Sequence, residues 1–225
     1  MNIFVTGTDT ECGKTFVSAS LLEMAAGRGQ RAAGMKPVAT GTTTENGQRL
    51  NEDVESLRRA SNVELPASSQ NPYLFDPPTS PNIAALNAAT TIDLAVIASA
   101  YRDCANRADL VIVEGVGGWC VPLAPGVDVG DLAATLELPV LLVVGIKLGC
   151  INHARLSQMA ILGSGVNYLG WVANDISTDL FQPETVLDTL ITTLGRKPLG
   201  TCGRDDPGGL AALVDAIVPG ASDRG

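Results

Sequence analysis

The chain of 225 residues holds one histidine, four lysines and only 4% aromatic residues, and each shortage excludes something. A lone His153 cannot build a histidine-rich zinc site, and it leaves one candidate base for a Ser-His-Asp triad. No Ser or Cys arrangement stands near it, so it is read as structural. Basic residues form no run, and 15 Lys+Arg against 24 Asp+Glu give a net charge of −9. That balance excludes nucleic acid and anionic membrane surfaces as partners. No apolar run approaches the ~18 residues of a membrane span. The five cysteines, Cys12, Cys104, Cys120, Cys150 and Cys202, are odd in number and contain no C-x-x-C. They read as reduced, mostly structural thiols. Met1-Asn2 passes straight into Ile3-Phe4-Val5 with no basic leader, so a cytoplasmic protein is expected.

What is present is apolar and regular. Apolar residues make up 45% of the chain and charged ones 17%, with mean hydropathy +0.20, enough to bury a sizeable core. Short apolar runs at 3–5, 32–35, 110–113, 140–145, 169–173 and, weakly, 198–202 are continuous rather than alternating. Such runs suit strands covered on both faces of a parallel sheet. Helical patterns fall between them at 14–28, 52–60, 92–107, 130–136, 151–164, 183–194 and 207–217. The first places Val17, Leu21, Leu22 and Ala25 on a core-facing stripe and stops at Gly27/Gly29. This alternation predicts an α/β fold with a mostly parallel central sheet flanked by helices, and ligands at the carboxyl ends of the strands. Residues 37–51 and the proline-rich 66–82 are expected as long loops. No linker divides the chain, so residues 1–225 are expected to form a single domain.

The residues suited to chemistry cluster at strand ends. The segment 7-GTDTECGKT-15 follows the first strand and opens the first helix. There a glycine-rich turn aims backbone N–H groups at an anion, Lys14 can reach outer phosphates and Thr15 can ligate Mg²⁺. Five residues separate Gly7 from Gly13, one more than the usual phosphate loop has. Glu11 repels phosphate and is expected to face a substrate amine or water. In 35-MKPVATG-41, Lys36 emerges at the end of an apolar strand and needs an anionic partner or a path to solvent. In 110-LVIVEGVGG-118, Glu114 resembles a Walker-B carboxylate that holds Mg²⁺, with glycines allowing close backbone approach. Asp53, in 51-NEDVES-56, is either a further metal ligand or a surface carboxylate at a helix start. A second helix N-terminus follows 143-VVGIKLGCINHA-154, where Lys147 adds charge beside an anion site. In 170-GWVAND-175, Asn174 and Asp175 end a strand; the asparagine amide could pair with an adenine edge or simply form a turn.

In this order and spacing, GTDTECGKT, KPVATG, VEGVGGW, VGIKLGCINHA and GWVAND resemble the dethiobiotin synthetase family, from residue 2 to about 200. The resemblance implies a P-loop NTPase-like homodimer that uses ATP and Mg²⁺ to carboxylate 7,8-diaminopelargonic acid with CO2 (or bicarbonate) and close a cyclic urea. Lys36, Lys14, Thr10 and Glu11 would be the catalytic groups. The backbone of Glu11, Cys12, Gly13, Lys14, Thr15 and Phe16 would hold phosphates. Thr15, Asp53 and Glu114 would ligate Mg²⁺. Gly115, Val116, Gly117, Asn174 and Asp175 would complete the nucleotide site, with Asn174 reading adenine. Thr40 would touch the diamine end, and Gly149, Cys150, Ile151 and Asn152 of the partner subunit would hold the substrate carboxylate. The likeness stops at 200-GTCGRDDPGGL-210, so base and ribose contacts from that segment are not implied. Two other P-loop readings remain. One is an amide-forming synthetase for a larger acid, which the short chain argues against. The other is a nucleotide-switched dimeric ATPase, whose loop typically begins with an additional lysine where this chain has Thr8.

Overall fold

A computed structural model describes residues 1–204 and 206–218. The first half runs β1 (Ile3–Gly7), α1 (Lys14–Gly27), β2 (Ala32–Met35), β3 (Val38–Thr40), β4 (Thr43–Glu45), β5 (Gln48–Leu50), α2 (Glu52–Ala60), α3 (Ala67–Gln70), β6 (Tyr73–Phe75), α4 (Pro81–Asn87) and α5 (Leu94–Arg107). The second runs β7 (Leu110–Glu114), β8 (Pro122–Ala124), β9 (Val127–Asp128), α6 (Val129–Thr135), β10 (Val140–Ile146), α7 (Cys150–Gly163), β11 (Tyr168–Asp175), α8 (Pro183–Leu194), β12 (Gly200–Cys202) and α9 (Ala211–Ile217). Each strand and helix expected from the apolar pattern is present, with ends displaced by a few residues. The last helix is shorter than expected, because a 3-10 turn occupies Gly208–Leu210 before α9.

Six strands form one sheet in the order β12-β11-β10-β1-β7-β2, and every pairing is parallel. Successive side chains of a strand point to opposite faces, so each strand feeds two cores. Phe4, Val111, Val113, Leu142 and Val144 pack on one face with Ile97 of α5, Leu132 of α6, Ile161 of α7 and Leu190 of α8. Ile3, Val5, Ile112, Leu141 and Val143 pack on the other with Leu21 and Leu22 of α1, Leu57 of α2 and Val214 of α9. Burial on both faces is why β1, β7 and β10 are apolar almost throughout. Strand order reverses at β1, the switch point where open parallel sheets leave a crevice at their carboxyl edge. No described helix is long and apolar enough to cross a membrane.

The two stretches expected as long loops are instead built. β3 pairs in parallel with β6, which ties 38–40 to 73–75. β4 and β5 form an antiparallel hairpin around Asn46 and Gly47, both at positive φ, the geometry that Asn-Gly turns favour. Pro81 occupies the first position of α4, where its missing N–H is harmless. These pieces wall one side of the crevice.

Gly34 shows how tightly the helical layer sits on the edge strand. A Cβ there would fall 2.9 Å from Leu22 Cδ1 and 2.9 Å from Leu57 Cβ, so α1 and α2 approach β2 closely only because no side chain intervenes. Gly34→Val should lower stability by about 1–3 kcal/mol, seen as a reduced urea midpoint with unchanged slope. An unchanged midpoint would contradict this packing.

Candidate active site

The phosphate-loop segment leaves β1 at Gly7 and returns into α1 at Lys14. Thr8 N–H donates to Val143 O of β10 at 3.0 Å, which fixes the start of the loop. Among the described residues, the amides from Glu11 to Phe16 donate to no protein acceptor, so consecutive N–H groups stand ready for an anion at a helix N-terminus. Gly13 heads α1 at φ 89, a left-handed conformation that glycine adopts without strain. A Cβ at Gly13 would also fall 1.9 Å from Asn174 Nδ2. Glu11 is held at φ 61, exposed toward the crevice.

Four strand-end or helix-start residues, Lys36, Glu114, Thr15 and Asp53, meet at the far end of the loop. Lys36, just past β2, is 2% exposed and donates from Nζ to Glu114 Oε1 at 2.6 Å, Asp53 Oδ2 at 2.7 Å and Gly115 O at 3.1 Å. Thr15 Oγ1 lies 2.7 Å from Asp53 Oδ1 and 2.8 Å from Glu114 Oε1. Burial by itself would pull the Lys36 pKa down, but Glu114 and Asp53 outweigh it and hold the ammonium above the ordinary lysine value. Partial burial would raise Asp53, yet the Lys36 charge and hydrogen bonds from Lys36 and Thr15 leave its carboxyl below the usual range.

The chemistry of this cluster fits a magnesium ion. The donors are oxygens only, and a hydroxyl has one hydrogen to share between two carboxylates. Glu114 is fully buried, and its Oε2 has no hydrogen-bond partner among the described residues. A cation held by Thr15, Asp53 and Glu114 would satisfy that orphaned oxygen. The site offers two carboxylates and a hydroxyl, and among the described residues no cluster of three or more His, Cys, Asp or Glu is present to hold a metal.

A cavity of about 670 Å³ joins these groups. Thr10, Glu11, Gly13, Lys14, Thr15, Lys36, Thr40, Asp53, Val116 and Gly117 line it, with Pro78 to Pro81 forming the opposite wall. The structure therefore brings together all four expected catalytic residues, the three expected metal ligands and Thr40. Asp53 sits in the first turn of α2, and its carboxylate reaches Thr15 and Lys36 in the cluster. Other expected residues stand differently. Cys12 is fully buried, and neither it nor Phe16 lines the cavity, so only their amides are suited to a phosphate. Gly115 serves through its carbonyl on Lys36 rather than through the cavity wall.

Asn174 is turned onto the loop: it is 3% exposed, and its Nδ2 donates to Cys12 O at 3.0 Å. One of its two amide hydrogens is thus committed to holding the loop, leaving the other and Oδ1 outside that bond. Asp175 is exposed outside the cavity. Gly149, Cys150, Ile151 and Asn152 also lie outside it, at the start of α7. There the Cys150 amide donates to Lys147 O at 3.0 Å, leaving Gly149, Ile151 and Asn152 as the amides without a protein acceptor among the described residues. Lys147 is paired with Asp9 rather than standing beside those amides as a free charge. In the divergent 200–210 segment, Asp205 lies outside the described residues, while Arg204 donates to Ile176 O at 3.1 Å.

Sequence reasoning missed the residues that aim these groups. Asn51 caps α2 by accepting from Val54 N–H and donates to Thr40 O and Gly41 O, so it orients Asp53 and Thr40 together. Its position before an acidic first turn is a helix-start signal that was available. Gln70 O accepts from Lys36 N–H and Asn71 Nδ2 donates to Lys36 O, clamping the Lys36 backbone from both sides. No local signal marks them, because they act across 34 or 35 residues of sequence.

A family model described as an AAA domain matches residues 1–201. A curated relative, the ATP-dependent dethiobiotin synthetase BioD of Ralstonia nicotianae (strain ATCC BAA-1114 / GMI1000), is 47% identical over 201 residues, covering 89% of this chain and 88% of the relative. The chain belongs to the dethiobiotin synthetase family. Among solved structures, the septum site-determining protein MinD of Pyrococcus horikoshii, complexed with Mg-ADP, is similar at a TM-score of 0.61 and 11% identity, over 96% of each chain. A ParA family ATPase from Chlorobium tepidum is similar at a TM-score of 0.56 and 13% identity, covering 96% of this chain and 92% of that one. These likenesses show that this dethiobiotin synthetase family member has the fold of P-loop ATPases.

Lys36 neutralises a carboxylate that water cannot reach. Lys36→Met should therefore destabilise the protein by about 3–5 kcal/mol, since it leaves the buried Glu114 carboxyl with no cation beside it. Lys36→Met/Glu114→Gln should recover a large part of that loss in thermal unfolding. A double variant no more stable than the single one would mean that the pair is not coupled.

Proposed function

We propose that this member of the dethiobiotin synthetase family, an ATP-dependent ligase, closes a cyclic urea on 7,8-diaminopelargonic acid with CO2. One observation carries the reading: a buried lysine shared by two carboxylates opens into the same cavity as a phosphate loop, Thr40 and Glu11. No covalent nucleophile is needed, because the chemistry is positioning plus charge stabilisation.

In the first step, one substrate amine attacks the carbon of CO2 and loses a proton, forming a carbamate. A carbamate oxygen then attacks the γ-phosphorus of ATP, ADP departs, and a carbamic-phosphoric anhydride results. The second amine attacks the anhydride carbon and loses its proton; phosphate leaves, carrying an oxygen that came from CO2. The amides from Glu11 to Phe16 bind the phosphates, and Lys14 meets the transferring group. Thr15, Asp53 and Glu114 would hold Mg²⁺, which would neutralise phosphate oxygens. Lys36, at the edge of the same cavity, places its ammonium where phosphoryl and carbamate charge develops. Thr10 and Thr40 supply hydroxyls at the diamine end, and Glu11 attracts its ammonium. Val116 and Gly117 flank the nucleotide, and the remaining hydrogen-bonding capacity of Asn174, with Asp175 beside it, serves the adenine.

The substrate carboxylate is held by Ile151 and Asn152 of a second copy, within its Gly149–Asn152 turn, in a homodimer. An exposed apolar face on and beside α7, made by Leu148, Leu156, Met159 and Leu162, supports this pairing. The enzyme acts in the cytoplasm as a single domain over residues 1–225. A second reading, a nucleotide-switched ATPase, draws on the fold shared with MinD and ParA; Thr8 at the start of the loop weighs against it.

Phosphate release separates the two. The synthetase should release phosphate only when 7,8-diaminopelargonic acid, bicarbonate and MgATP are all present, with dethiobiotin formed in equal amount. Steady phosphate release that ignores the diamine would instead identify a switch ATPase.

A further inference from the structure

Asp9 sits at the near end of the phosphate loop and makes three contacts. Its Oδ1 accepts from Thr10 N–H at 2.8 Å, and its Oδ2 accepts from Lys147 Nζ at 3.1 Å. Its backbone oxygen accepts from Lys14 Nζ at 2.9 Å. The loop is thus slung between two neighbouring strand ends: Lys147 beyond β10 grips Asp9, and Asn174 on β11 grips Cys12 O.

The charges make this arrangement more than a brace. Lys14 is bonded to a neutral carbonyl of Asp9, while the carboxylate of the same residue is occupied elsewhere. An ammonium on a carbonyl is easily given up to a phosphate oxygen; one on a carboxylate is not. We infer that Lys147 is a positioning residue: it keeps the Asp9 carboxylate engaged so that Lys14 remains available to the nucleotide. Without Lys147, the freed carboxylate lies a few bonds from the carbonyl that Lys14 already touches, and it captures the ammonium as an ion pair. The Asp9 and Lys147 side chains are 45% and 34% exposed, so the pair itself adds little to global stability. Its effect falls on phosphate affinity. The inference rests on the reading of Lys14 as a phosphate ligand given above.

The test is MgADP affinity of the purified full chain by titration calorimetry. Lys147→Met should weaken MgADP binding about tenfold with little change in the thermal midpoint. Lys147→Arg should bind as the wild type does, because it keeps the charge on Asp9. Lys147→Met/Asp9→Asn should regain most of the lost affinity, since no carboxylate remains to trap Lys14. Lys147→Gln provides a second charge-removing variant should the methionine form fail to fold. Rescue by removing the second partner is a result that a merely structural role would not give. Unchanged affinity in both Lys147→Met and Lys147→Gln, or a double variant as weak as the single, would overturn the inference. MgADP binding is measured without the diamine, so failure of the wild type to make dethiobiotin would overturn the proposed reaction and leave this result standing.

Discussion

The Lys36 ammonium lies 2.6 Å from Glu114 and 2.7 Å from Asp53, so one buried cation compensates two carboxylates at a depth where Glu114 has no contact with water. Glu114 has no solvent exposure, and its Oε2 has no hydrogen-bond partner among the described residues. Such a group is costly to fold around and is explained by what it can bind. Two carboxylates stand close to one hydroxyl, with a lysine as the compensating cation. The orphaned oxygen of Glu114 is the position that a divalent ion would satisfy.

The fold exists, for functional purposes, to bring five strand ends to one edge. β1 ends in the phosphate loop, β2 leads into Lys36, β7 ends on Glu114, β10 leads to Lys147 and β11 carries Asn174 near its end. Because all six strands run parallel, these residues arrive at the same rim without any further device. The two-sided apolar core holds the rim rigid. Precision then comes from polar clamps outside the sheet. Gln70 and Asn71 fix the Lys36 backbone, Asn51 caps the helix that carries Asp53, and Asn174 and Lys147 fix the loop. The sparse lysines follow the same logic: Lys14, Lys36 and Lys147 all lie at this rim, so a chain of net charge −9 still offers local positive charge to a phosphate.

The elements that line up along the chain were legible in the sequence. Continuous apolar runs announced the sheet strands, and 7-GTDTECGKT-15, Lys36 and Glu114 announced the site because each sits where a strand runs out. Contacts that depend on distant segments were not. Asp53 alone looks like any acid at a helix start, and only the fold brings it to Thr15. Asn174 looks like a base reader or a turn residue, and only the loop packed against it shows that its amide holds Cys12 O. The Asn46-Gly47 hairpin was readable, but its flanking strands are polar and exposed and carry no apolar alternation. A short edge hairpin held by side-chain contacts to 74–76 leaves little periodic trace.

The central claim is that this cluster transfers the γ-phosphoryl group of ATP to a carbamate oxygen. Oxygen-18 transfer tests it most directly. With ¹⁸O-labelled bicarbonate, 7,8-diaminopelargonic acid and unlabelled MgATP in a rapidly quenched turnover, the released phosphate should carry one labelled oxygen. Dethiobiotin formed alongside phosphate that carries no label would contradict the account, because the carbamate oxygen would then never have met the phosphorus.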